Sequence, residues 1–150
     1  MAVMNISAAR RALECADASA RSAFVRRALG HLLNNPEVDR AAAADLDISA
    51  RSALRDLRVE AASAVPDPGS VGRLLSVIDA GTLADGDMGA ELLHALLAAE
   101  AWHAYLLDGA VRQLVDLAQI CCDAADFQQS PLDAEWTSLE LGEGSTGGSR

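Results

Sequence analysis

The chain has 150 residues, with 22 Asp and Glu against 12 Arg, no Lys and a net charge of −10. That balance argues against direct nucleic-acid binding, where phosphates are neutralised by basic side chains, and against anionic membrane surfaces. Hydrophobic residues make up 51% of the sequence but aromatics only 3%. Alanine supplies about a fifth, far above ordinary usage, so closely packed helices around a thin core are expected.

A chain of this length buries about two thirds of its unfolded surface, and one helical domain over residues 1–141 is expected, followed by a Gly- and Ser-rich flexible tail over 142–150. Strand signals are nearly absent. Cys15, Cys121 and Cys122 form no paired framework, and no leader segment or membrane-length apolar run is seen, which together read as a cytoplasmic protein with reduced thiols. The vicinal Cys121-Cys122 pair reads as small hydrophobes on a helix face.

In chain order, the first helix is expected from about Ser7 to Leu33, with Ile6, Ala9, Leu13, Ala16, Ala20, Phe24 and His31 along one stripe. Residues 1–34 carry five arginines against Glu14 and Asp17, a local charge of +3. Asn35-Pro36 then pairs an N-cap with proline at the first helical position. This second stretch runs through Ala41–Ala44, pauses near Asp45–Asp47 and resumes to about Val65. Asp67-Pro68 repeats the signature and opens a helix to Ala80, with Gly81 at a left-handed C-cap. Thr82–Asp87 reads as a polar turn ending in an N-cap at Asp87.

Helical periodicity then holds from about Met88 to Cys122. Leu92, Leu93, Leu96, Leu107, Val111, Leu114, Leu117 and Cys121 fall on one broad face, in phase across Gly109. A continuous rod of that length would span about 52 Å, long enough to overhang its own bundle and to pack on another chain unless it kinks at Gly109. Ser130-Pro131 opens a short last helix carrying Trp136. The expected fold is therefore all-α, a four- to five-helix bundle with one long helix over about 88–122.

That long segment contains two Glu-x-x-His pairs, Glu91/His94 and Glu100/His103. On a helical wheel they point to opposite sides, about 180° apart, so they cannot serve one ion. Glu91/His94 falls on the solvated face, where a surface ion pair suffices. Glu100/His103 projects into the apolar stripe, where a carboxylate needs a partner. Ferritin-like di-iron bundles take such a pair from each of two helices plus a Glu from two more. This sequence lacks the second inward pair, which leaves Glu100, His103 and His31 as the candidate metal ligands beside a structural or interfacial polar pair.

Arg26-Arg27-Ala28-Leu29-Gly30-His31 is an Arg-x4-His arrangement and resembles the motif of the HEPN-domain ribonucleases, all-helical proteins that cleave RNA with an Arg/His pair. The resemblance covers six residues and implies Arg26 and His31 as a catalytic pair. It departs from that family in carrying Arg27 where a polar residue usually follows. The competing reading is a helix C-terminus with cationic residues suited to its dipole.

No phosphate-binding loop, nucleophile elbow or Cys-x-x-Cys pair is present, and no catalytic residues or cofactor are assigned. The expected function is a non-catalytic helical interaction protein: an adaptor, assembly factor, inhibitor or small chaperone. Its expected partner is another protein, with self-association through the long helix and no direct nucleic acid or membrane. Trp102, Tyr105 and Trp136 are the candidate partner-binding residues, as exposed aromatics in an aromatic-poor chain. The alternatives are a metal-binding bundle using Glu100/His103, an acidic nucleic-acid mimic that blocks a basic protein, and a HEPN-like ribonuclease using Arg26/His31.

Overall fold

The computed structural model describes residues 6–83 and 88–128, with side chains to residue 124. The described residues form seven α-helices: α1 (Ile6–Cys15), α2 (Ala18–Leu33), α3 (Pro36–Asp45), α4 (Ile48–Ala62), α5 (Pro68–Ala80), α6 (Ala90–Asp108) and α7 (Val111–Gln128). The only β-structure among them is an isolated antiparallel bridge between Leu46 and Thr82. The all-α expectation holds. The helix count rises because two stretches expected to be continuous are each broken.

The first break falls at Asp17. Its backbone is extended, and its side chain accepts from the amide of Ala20 at 2.8 Å, which starts α2 as an N-cap. Arg21 reinforces the corner by donating from Nε to the carbonyl of Leu13 at 2.9 Å. The Asn35-Pro36 and Asp67-Pro68 signatures start α3 and α5 as expected. The pause at Asp45–Asp47 is real: Leu46 leaves the helix, and Asp47 caps α4 by accepting from Ala50 at 2.8 Å.

The second break divides the expected long helix. Gly109 has φ +68°, a left-handed conformation that glycine adopts without steric cost, and its amide closes α6 on the carbonyl of Tyr105 at 2.7 Å. Asp108 accepts from the amide of Ala110 at 2.8 Å and from the side-chain amide of Gln113 at 3.0 Å, fixing the turn that folds α7 back along α6. The apolar periodicity stays in phase across Gly109, but its members differ in burial: Leu92, Leu96, Leu114, Leu117 and Cys121 are buried, whereas Leu93 and Leu107 are exposed. The overhanging rod, and the self-association inferred from it, lose their basis.

A glycine-dependent corner ties the two halves of the fold together. The amide of Asp47 donates to Gly81 and that of Leu83 to Asp45, both at 2.8 Å, while Asp45 Oδ2 accepts from the amide of Gly89 at 3.1 Å. Gly81 has φ −95°, not the left-handed value expected of it. It is glycine because a Cβ there would press into Asp47 and come 2.6 Å from the Cβ of Ala50. The expected cap at Asp87, the helix after Ser130 and the 142–150 tail lie outside the described residues.

Helix α6 sits at the centre and packs on α2, α3, α5 and α7. Its apolar residues go nearly all the way round, as a central helix requires: Leu92, Ala95, Ala98, Ala99 and Trp102 are buried. The alanines let neighbouring helices approach closely, which is what the alanine-rich composition leads to. No described helix is long and apolar enough to cross a membrane.

Candidate docking groove and adjacent cleft

Two concave features flank α6 on opposite sides. Residues three and four apart share a helix face, so Leu93, Leu96, Leu97 and Glu100 project together, while Trp102, Tyr105 and Leu106 project about half a turn away.

The first feature is a groove between α5 and α6. Leu75, Ile78 and Asp79 of α5 face Leu93, Leu96, Leu97 and Glu100 of α6, with Met88 at one end. It encloses about 430 Å³, its mouth included. Leu96 is buried, but Leu93 and Leu97 remain 42% and 40% exposed. These two neighbouring apolar side chains are incompletely covered. The rim is acidic: Asp79 and Glu100 are exposed, and neither carboxylate has a hydrogen-bond or ionic partner among the described residues. Leu107, 67% exposed, continues the same side of α6 towards Gly109.

The second feature is a cleft of about 380 Å³, mouth included, between α2, α6 and the segment after α4. Ser22, Val25 and Arg26 on one face of α2 oppose Trp102, Tyr105 and Leu106 on one face of α6. Ala61, Ser63, Ala64 and Pro66 close the third side.

The structure separates the candidate residues. Glu100 is exposed, so its carboxylate stays hydrated and needs no buried partner. This corrects its expected place in the apolar seam. His103 is half-buried over α5, where a Cβ on Gly72 would come within 2.8 Å of its Nε2; the missing side chain of Gly72 is what accommodates the imidazole. His31 is exposed on α2, and no group of three His, Cys, Asp or Glu suited to a metal ion occurs among the described residues. Glu100, His103 and His31 are therefore not assembled into a three-ligand set.

Arg26 and His31 are also divided. Arg26 is half-buried and lines the cleft, whereas His31, five residues on, is exposed at the end of α2 and does not line it. The expectation of exposed aromatics fails for Trp102, which is 3% exposed and belongs to the core. Tyr105 is half-buried in the cleft beside it. Trp136 lies outside the described residues. Cys121 and Cys122 are both buried, consistent with small hydrophobes on a helix face, and Cys15 is exposed.

Sequence periodicity identified the leucines of α6 but could not divide them. Leu92 and Leu96 are buried while Leu93 and Leu97 are not. No protein family, curated protein or solved structure matches the chain.

Proposed function

We propose that the chain is a non-catalytic interaction protein that receives an amphipathic helix of a partner protein in the groove between α5 and α6. The observation that carries this reading is the exposure of Leu93 and Leu97, one turn apart on α6, beside Leu75 and Met88. Helix-in-groove recognition uses apolar anchors at this spacing. The carboxylates of Asp79 and Glu100 at the rim, without partners among the described residues, select a partner whose apolar stripe is flanked by Arg or Lys. In a chain of net charge −10, such a partner also gains a faster encounter at low salt.

The test is affinity capture from the native host with the unmodified chain and with a Leu93→Glu/Leu97→Glu variant, whose folding is checked by circular dichroism. A partner retained by the first and lost by the folded second, and weakened by added salt, supports the reading. A partner captured equally by both sinks it. Sedimentation of the chain alone separates the remaining case: an oligomer abolished by the double substitution identifies the partner as a second copy.

A further inference from the structure

The cleft on the opposite side of α6 has a different character from the acid-rimmed groove. Among the described residues no Asp or Glu lines it, and the one formal charge they contribute is Arg26. The half-buried arginines elsewhere have structural partners: Arg21 holds the carbonyl of Leu13, and Arg58 holds the carbonyl of Leu33 and the carboxylate of Asp39. Arg26 is half-buried yet makes no hydrogen bond or ion pair among the described residues. Tyr105, half-buried across the cleft, likewise has a phenol without a hydrogen-bond partner there. Ser63 accepts from the amide of Val65 at 3.1 Å and keeps its own hydroxyl hydrogen for donation. Each of the three walls of the cleft thus contributes a donor, Arg26 from α2, Tyr105 from α6 and Ser63 from the segment after α4, set among apolar lining that includes Val25, Trp102 and Leu106.

The geometry points to a binding site for a small monocarboxylate with a flat or short apolar body. Its carboxylate is held by the fork of Arg26 and the phenol of Tyr105, and its apolar part lies against Trp102 and Leu106. A carboxylate matches the planar, two-pronged geometry of guanidinium, and the lack of a competing acid in the lining leaves that fork available. The cavity proper is about 70 Å³, well below the roughly 300–1,000 Å³ of drug-sized ligand pockets, which leaves room for a small acid lying partly in the open mouth and none for a nucleotide. The site is independent of the groove, since it uses the other side of α6.

The experiment titrates phenylacetate and hexanoate into the full chain carrying Trp136→Phe, which leaves Trp102 as the only tryptophan and its emission as the readout. Phenylacetamide and phenethylamine serve as the neutral and cationic controls. Saturable change with the two acids, at least about tenfold weaker with the amide and the amine, is expected, because a hydrogen bond to a charged group accounts for a tenfold effect or more. Arg26→Gln is expected to weaken the acids by a similar factor, with Tyr105→Phe giving a smaller loss. The absence of saturation by both acids at 10-millimolar concentrations, roughly the range at which weak small ligands still register, overturns the proposal. Equal binding of phenylacetamide overturns it too and requires no substitution, so the result stands even if Arg26→Gln fails to fold.

Discussion

The amide of Asp47 donates to the carbonyl of Gly81 at 2.8 Å, and the side chain of Asp47 occupies the space that a Cβ on Gly81 would need. One residue thereby caps α4 and holds the end of α5 beside it. Gly81→Ala forces the new methyl against both Asp47 and Ala50. The expected cost is about 1–3 kcal/mol, the usual range for overpacking, visible as a fall of several degrees in thermal melting. An unchanged melting temperature would show that the corner yields.

Gly109 makes a contrasting case. A Cβ there meets nothing within 4 Å, so the penalty is conformational, from the φ of +68°. Gly109→Ala is expected to cost roughly 1–2 kcal/mol in urea denaturation, and Gly109→Asn less, because Asn tolerates the left-handed region. Equal stability of the Ala and Asn variants would contradict the assignment of a left-handed cap.

Much of the fold is legible in the sequence because its signals are local. Asn35-Pro36 and Asp67-Pro68 mark helix starts through side-chain capping and a fixed proline φ, neither of which depends on the rest of the molecule. Asp17 carries the same capping chemistry, but without a proline or glycine beside it the apolar stripe runs straight through. At Gly109 the phase of the stripe misleads: the apolar residues on either side fall in register, yet Leu93 and Leu107 of α6 stay exposed while Leu114, Leu117 and Cys121 of α7 are buried. The groove and cleft are a matter of which leucines and aromatics find cover, and that depends on contacts between segments far apart in the chain.

Leu92 and Leu93 are adjacent in sequence and opposite in environment, fully buried and 42% exposed respectively. Leu92→Ala is expected to destabilise by about 2–5 kcal/mol through the cavity it leaves. Leu93→Ala is expected to stay within about 0.5 kcal/mol of the unmodified chain. Paired denaturation curves check both, and similar losses at the two positions would place Leu93 in the core.

Two helix-end carboxylates supply a pH dependence. Hydrogen bonds from the hydroxyl and then the amide of Ser70 hold Asp67 below the usual carboxylate range. The amide of Ala110 and then the side chain of Gln113 do the same for Asp108. A carboxyl group whose pKa is lower in the folded state stabilises the fold above its unfolded pKa of about 3.9 and loses that contribution as pH falls through the folded value. Asp108→Asn should therefore lose less melting temperature between pH 6 and pH 3 than the unmodified chain does. Identical slopes would remove Asp108 from the account.

The reversal at Gly109 also decides where the far end of α7 lies. Helix α7 has 18 residues and runs back along the 19 of α6, a return path of about 27 Å. Gln128 is therefore carried to the level of the first turn of α6, the end of the molecule where Leu93 and Leu97 border the groove. Yet α7 packs against α1, α2 and α6 and none of its described residues lines the groove, so a label placed at the end of that helix shares the groove's level but starts from another face of α6. For surface-attached binding assays the exposed thiol of Cys15 on α1, a helix that likewise lines no part of the groove, offers a second handle.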